Sequence, residues 1–388
     1  MPLRSRLPYL LLSFAGVTAL GCSDDAREAP ARFDEMALRT ELESVRRSAD
    51  IVGVLSEVVT PEGAIRARAG VATLGKEDPV PWDAQFRVAS VTKTFVATVV
   101  LQLVGEGKLS LEDTVERWLP GVVAGQAYDG NAITVRQLLQ HTSGIYDYVR
   151  DDDLQKYLAE DFARALYDQT SPEALVAIAM KHPPNFEPGQ GWGYSNTNYL
   201  LAGMIIKVTT GHDWSNEVLQ RIVEPLELKH TFVTSSDPAL PMPHARVYMR
   251  VNEGAAPIDT TENTLEHTAD SAIISTTTDL NRFYRALVTG KLLRDQELAQ
   301  MQRTVPMPES EGPAGTRAGL GIFWTPTVCG GYWHHAGDSP VAPHTRTGIT
   351  ANGARSIVIS MSSTIDESAT NAAAFQLAER ALCDLPRR

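Results

Sequence analysis

The chain has 388 residues, 43% of them hydrophobic and 21% charged, with 28 glycines and 23 prolines. That is material for two average domains, or for one large domain with a second folded into it, and it excludes collagen, a coiled coil, a disordered chain and a disulfide-dense miniprotein. A formal charge of -12 and a pI near 5.3 argue against a nucleic-acid partner or an anionic lipid surface, because phosphate affinity needs clustered Lys and Arg.

At the N-terminus, Arg4 and Arg6 precede an apolar stretch from Leu7 to Leu20 that is too short to span a bilayer comfortably. Residues 1–21 read as an export signal. Gly21 before Cys22 resembles a bacterial lipobox, which would leave a lipidated Cys22 as a membrane tether in the cell envelope. Small residues at 19 and 21 also suit ordinary signal peptidase and free secretion. The lipoprotein is the preferred reading, because Cys22, Cys329 and Cys383 are the only cysteines. In an oxidising compartment Cys329 and Cys383 can pair, and lipidation accounts for the odd thiol. Two isolated buried thiols remain the alternative. Residues 22–32 are polar and read as a flexible tether.

A helix is expected from Phe33 to about Arg47, then strands over Ile51–Val59 and Ala64–Val71 joined by Thr60-Pro61-Glu62-Gly63. The middle of the chain is helical in pattern. Ser171-Pro172 is an N-cap with Pro at the first helical position. Apolar helices at Asn196–Val208 and Asp279–Leu287 end at Gly211 and Gly290. Strands return at Gly319–Trp324, Tyr332–His335, Thr345–Thr350 and Ser356–Met361, before a last helix over about Thr370–Leu382. The expected fold is therefore α/β: an antiparallel sheet built from 33–85 and 300–388, flanked by N- and C-terminal helices, with a mainly helical insertion over 86–299.

Gly70 to Lys76 matches most of a phosphate-binding loop, but Glu77 replaces the required Ser/Thr and Glu77-Asp78-Pro79 forbids the following helix. The nine histidines include no HExxH pair, so a metal site has little support and no cofactor is expected. The chemistry points to Ser90-Val91-Thr92-Lys93, directly before the apolar run Phe95–Val104. Residues three apart at a helix start share a face, so the hydroxyl and the amine can meet. Serine is a poor nucleophile until a neighbour takes its proton, and a lysine desolvated among Phe95, Val96 and Val99 becomes a better base. Tyr194-Ser195-Asn196 opens a helix, and His335-Ala336-Gly337 ends a strand. Each of the three motifs occurs once. Taken singly, each is as well explained by a cap, a buried tyrosine or a turn.

Taken together and in this order, they resemble the serine β-lactamase and D-Ala-D-Ala carboxypeptidase superfamily, and within it the class C branch. Phe86 to Thr94, Leu138-Leu139-Gln140-His141-Thr142-Ser143-Gly144-Ile145, Pro188-Gly189 and Ser275 to Leu280 resemble family signatures too. The resemblance runs from about residue 35 to 384. It implies a β-lactamase/transpeptidase-like fold and an acyl-enzyme on Ser90, with Lys93 and Tyr194 shuttling its proton and the phenol kept near phenolate by neighbouring cations. It further implies that Asn196 holds the substrate amide and that His335 supports Tyr194 electrostatically. The backbone N–H groups of Ser90 and of Asp338, after Gly337, would form the oxyanion hole. His141 is expected to position the helical part, and His334 to be structural. Cys329 and Cys383 resemble a disulfide of some secreted carboxypeptidases in the family.

The expected substrate is a small amide, ester or peptide of D-amino-acid type. Ala336, Asp338 and Phe323 stand where the family's carboxypeptidases place donors for a terminal carboxylate. An ionised Asp338 would repel an anion unless Arg346 restored positive charge, so a neutral or cationic leaving group is expected. A true D-Ala-D-Ala carboxypeptidase or β-lactamase, and a non-catalytic penicillin-binding or sensor module, are the alternatives.

Overall fold

Apolar alternation at the two ends of the chain resolves, in the computed structural model, into one antiparallel sheet. The structure describes residues 32–48, 51–125, 127–234, 236–250, 256–339, 341–362 and 367–385. The expected signal and Cys22 lie outside them. Helix α1 (Glu35–Ser48) leads into β1 (Gly53–Thr60) and β2 (Gly63–Gly70), a hairpin closed by Pro61 and Glu62. The C-terminal part supplies β3 (Val305–Pro306), β4 (Arg317–Ala318), β5 (Phe323–Thr325), β6 (Tyr332–His334), β7 (Ala336–Gly337), β8 (His344–Thr350) and β9 (Ser356–Met361). Their order is β3-β4-β5-β6-β8-β9-β1-β2, with β7 paired to β8. The chain ends are joined where Val54 faces Met361 and Val58 faces Ile357.

Strand alternation then decides which core each side chain enters. Val54, Val58, Ile357, Ile359 and Met361 pack beneath α1 and the last helix, α6 (Glu367–Leu382), with Leu38, Leu42, Leu377 and Leu382. Val358 and Ile349 point to the opposite face, into the larger core of the helical part. That core is built on α2 (Thr92–Gly105), in which every residue from Thr92 to Leu101 is buried. A helix apolar on all sides must be enclosed by others. Here they are chiefly α4 (Thr197–Thr210) and α5 (Thr277–Val288), while the short α3 (Val135–Gln140) packs against α4. Phe95 of α2 stacks on Phe283 of α5 at 3.7 Å.

Two sequence expectations change. The strand expected over Gly319–Trp324 is split, because Gly321 takes φ +70° and Gly319 N–H closes a turn on the Ile322 carbonyl. A Cβ at Gly321 would stand 2.4 Å from Ala97 Cβ, so only glycine lets this turn rest on α2. The strand expected over Tyr332–His335 stops at His334, and Ala336 begins β7. Gly70 ends β2 and Val71 bridges back to Pro79, so the phosphate-loop lookalike is a strand end and a turn. Cys329 and Cys383 are brought together with Cα atoms 5.6 Å apart, tying the β5–β6 turn to the end of α6.

Candidate active site

Ser90 sits in a single tight turn, Ala89–Val91, which runs straight into α2. Ala89 has φ 47°, a left-handed backbone that costs a non-glycine residue about 1–2 kcal/mol. The turn lifts Ser90 off the helix while Lys93, one turn later, remains inside it. Lys93 has no exposed surface. Its Nζ lies 2.9 Å from Ser90 Oγ, 2.8 Å from Asn196 Oδ1 and 2.9 Å from the Asp270 carbonyl. Burial is the main cause pulling the amine down to about 8, held there against the carboxylates of Asp270, Asp147 and Glu266. A neutral amine can donate to Asn196 and Asp270 and turn its lone pair to the Ser90 hydroxyl.

Tyr194 stands over the same group. Its hydroxyl hydrogen-bonds the Ser90 side chain, and Lys93 Nζ lies 5.1 Å from its ring centroid. Enclosure pushes this phenol well above its ordinary value despite the Ser90 bond, and the Asp147 and Asp270 charges push the same way. The phenolate expected from the sequence is therefore corrected. Tyr194 is a neutral phenol here, a proton donor.

Its placement follows from two loops. His141 ends α3 in the left-handed conformation, φ 59°, and stacks on the Tyr194 ring at 4.4 Å. Its Nδ1 accepts from Ser195 N–H, its carbonyl accepts from Gly193 N–H, and the Thr142 carbonyl accepts from Gly189 N–H. Gly144 is required because a Cβ there would meet the Phe186 carbonyl oxygen at 2.0 Å. The signatures around His141 and Pro188-Gly189 are two sides of one joint, so His141 positions the phenol directly.

Asn196 braces the lysine: its Oδ1 holds Lys93, and its Nδ2 donates to the Asp147 carboxylate at 3.1 and 3.2 Å. Asp147 and Asp270 carried no motif in the sequence. The only available signal was the nearness of Asp147 to the Ser143-Gly144 signature.

His335 is corrected as well. Burial first, then the nearby Lys93 charge, drive its imidazole down to about 3. It is neutral, so it offers no positive charge to Tyr194. Its Nδ1 donates to the Ala336 carbonyl at 2.6 Å, which leaves Nε2 as a buried acceptor without a partner. His334 lies on the other side, buried and bonded to Thr325 Oγ1 at 2.8 Å, a structural placement as expected.

Gly337 has a steric reason. A Cβ there would lie 2.1 Å from the Val88 carbonyl oxygen, so only glycine lets β7 approach the turn that carries Ser90. Asp338 follows at the cleft wall. Burial raises its carboxyl, but Arg346 at 2.7 Å and His344 at 2.5 Å outweigh this and keep it below the usual range. The repulsive charge expected at Asp338 is thus compensated by Arg346. The cleft in front of these residues has a volume of about 730 Å³ and includes Phe323, Trp192 and Tyr148 in its wall. No cluster of metal-ligating side chains occurs among the described residues.

The sequence matches the Beta-lactamase family over residues 38–382. The chain belongs to the Beta-lactamase family. Among solved structures it is similar to the D-stereospecific amidohydrolase of a Streptomyces species, with 36% identity and a TM-score of 0.80 over 87% of this chain and 97% of that one. The D-amino acid amidase of Ochrobactrum anthropi SV3, complexed with D-phenylalanine, superposes with a TM-score of 0.76 at 26% identity, covering 90% and 98%. Esterase EstB of Burkholderia gladioli is 31% identical over 233 residues, 58% of this chain and 57% of that protein. The curated relatives first matched are spanned only in part, over 34% to 57% of their length.

In this Beta-lactamase family chain, Gly337→Ala should slow fluorophosphonate labelling of Ser90 by roughly a hundredfold, because about 1 Å of misplacement has that cost. Timed labelling followed by intact mass measures it. Labelling at the wild-type rate would contradict the steric account.

Proposed function

We propose that this chain is an exported serine hydrolase that cleaves amides or esters of D-amino acids through an acyl-enzyme on Ser90. The observation that carries the reading is the Lys93 amine, fully buried and 2.9 Å from Ser90 Oγ. Neutral Lys93 removes the Ser90 proton as Oγ attacks the substrate carbonyl carbon. The oxygen gains negative charge and is held by the backbone N–H groups of Ser90 and Asp338. As the tetrahedral intermediate collapses, the carbon–nitrogen or carbon–oxygen bond breaks. Tyr194 gives its phenolic proton to the departing amine or alcohol and is reprotonated from Lys93. Water then attacks the ester, losing a proton to the same pair, and Ser90 leaves with its hydroxyl restored.

Similarity to the D-stereospecific amidohydrolase, at 36% identity over nearly all of that chain, supports the substrate class. Phe323 stands on β5 at the position that resembles the arginine site for a terminal carboxylate, and the Arg346 charge is engaged by Asp338. Both support a substrate without a free carboxylate next to the scissile bond. Export is supported by Arg4, Arg6, the apolar run to Leu20 and the Cys329–Cys383 pair, with Cys22 as the proposed lipid tether.

Hydrolysis of a D-alanyl amide or ester should exceed that of the matching substrate with a free carboxylate in kcat/KM, and Ser90→Ala should lose roughly a thousandfold or more. A higher kcat/KM for the free carboxylate would make the protein a carboxypeptidase instead. Since Lys93 must be neutral to accept a proton, kcat/KM should rise with pH and level off above about 8. A pH profile that falls through this range would exclude Lys93 as the base. Thiol titration of the denatured, unreduced mature protein should find neither Cys329 nor Cys383 free.

A further inference from the structure

The helix Asp152–Glu160 is amphipathic, yet none of its nine residues is buried. Leu154, Tyr157 and Leu158 follow one another at spacings of four and three or fewer, on one side of it, while Asp152, Asp153, Lys156 and Glu160 are exposed. A surface helix normally turns such a stripe into the core. This one packs chiefly against its own neighbours in the chain, the turn Tyr148–Arg150 and the short helix Phe162–Ala165. Leu154, Tyr157, Leu158 and Phe162 are half-buried and join no hydrophobic core cluster among the described residues. All four line the cleft in front of Ser90 instead.

The wall they form is built in advance. Asp151 caps the helix, accepting from Leu154 N–H at 2.8 Å, and its other oxygen bonds His182 Nε2 at 2.7 Å. Tyr157 donates its hydroxyl to Asp168. Beyond the helix, Thr264 N–H donates to the Leu166 carbonyl at 2.8 Å, and His267 Nε2 to the Thr170 carbonyl at 2.9 Å. Between those two bonds Leu265, also half-buried, joins the same wall.

The mechanism tells which end of the cleft this is. Tyr194 protonates the leaving group, and Trp192 and Phe323 stand on its side, Trp192 lying edge-on to His141 at 5.9 Å and to Phe323 at 6.3 Å. Asp270, whose carbonyl holds Lys93, accepts from Tyr148 at 3.1 Å, and Tyr148 opens the turn that leads to the helix. The leaving group and the acyl group point away from each other at the reacting carbon, so the apolar stripe falls on the acyl side. A cleft of about 730 Å³ encloses a drug-sized ligand, well beyond one amino acid amide. Apolar surface open to water is unfavourable, and an apolar chain laid on it is stabilised methylene by methylene.

We infer that Leu154, Leu158, Phe162 and Leu265 form an apolar acyl subsite, so that Ser90 is acylated preferentially by substrates with an extended apolar chain on the acyl side. This rests on the hydrolase reading above and names the acyl half of its substrate.

The test varies the two halves of an ester separately. The acyl series is p-nitrophenyl acetate, butyrate and hexanoate; the alcohol series is ethyl, butyl and hexyl acetate. In the wild type kcat/KM should rise about twofold to fourfold per methylene along the acyl series, and by less than about threefold in all along the alcohol series. Leu158→Gln keeps a good helix former but sets an amide in the stripe, and should cut the hexanoate-to-acetate ratio by about tenfold. A readout without turnover is protection of Ser90 from a fluorophosphonate by hexylboronic and methylboronic acids, whose boron is attacked by the serine oxygen. The hexyl compound should protect at a concentration lower by about tenfold or more. Labelling of Ser90 by a small fluorophosphonate reports whether the variant is folded. A flat or falling acyl series in the wild type overturns the inference, whatever the variant does. So does a hexanoate-to-acetate ratio that a folded Leu158→Gln leaves unchanged, or a rise along the alcohol series that it abolishes. If the boronic acids show the chain-length preference while no ester or amide is cleaved, the hydrolase reading fails and the subsite stands.

Discussion

The structure depends on keeping one amine dry. Lys93 lies in the first turn of a helix with no solvent-facing residue from Thr92 to Leu101, and its three polar contacts are all supplied by protein. Lowering a lysine from 10.5 to about 8 corresponds to about 3 kcal/mol against the ammonium form. That penalty is sustained by packing elsewhere, chiefly the enclosure of α2 by α4 and α5. The charge has not been abolished, because Asp147 and Asp270 draw it back. The amine is left near the range in which it can both take and return a proton.

The rest of the site follows from bringing other chain segments to that helix mouth. The β7 strand can approach Ser90 only through glycine at 337, and the turn from β4 to β5 can rest on α2 only through glycine at 321. Tyr194 arrives from a loop laced to His141 and Thr142 by backbone hydrogen bonds. Small residues therefore set the distances, and the titratable ones take their properties from the resulting enclosure. The neutral state of both Tyr194 and His335 has this origin. A sheet edge and two loops closing on a buried lysine leave little water to stabilise a phenolate or an imidazolium.

Much of this was legible in the sequence, and the exceptions share a cause. The hairpin after α1, the helix stops at Gly211 and Gly290, and the SxxK pair at a helix start are local patterns, readable from spacing alone. The split strand at Gly319–Ile322 was not, because its turn is imposed by Ala97 and Tyr199 from distant parts of the chain. The bond from Asn196 to Asp147 was not legible either, because the two lie 49 residues apart and no motif marks Asp147. Protonation states failed for the same reason. Residue type states which groups can carry charge, whereas burial and neighbours decide whether they do.

The β7–β8 edge shows how one ion pair can redirect specificity without disturbing catalysis. Asp338 supplies a backbone N–H to the proposed oxyanion hole and a carboxylate to Arg346, two duties performed by different atoms of one residue. Because Arg346 is 3% exposed and turned to Asp338 and the Gly337 carbonyl, its charge serves the strand more than the cleft. The cleft is thereby left with acidic side chains and an uncharged His335 around the reacting serine. An incoming carboxylate finds no compensating cation there except Lys93, whose ammonium form is the inactive one in the proposed mechanism. Binding an anion would raise the affinity of Lys93 for its proton and so suppress the base. A cationic substrate acts in the opposite direction, favouring loss of that proton as it binds. The acidic field itself holds the Lys93 proton, so a cation that offsets that field frees the base.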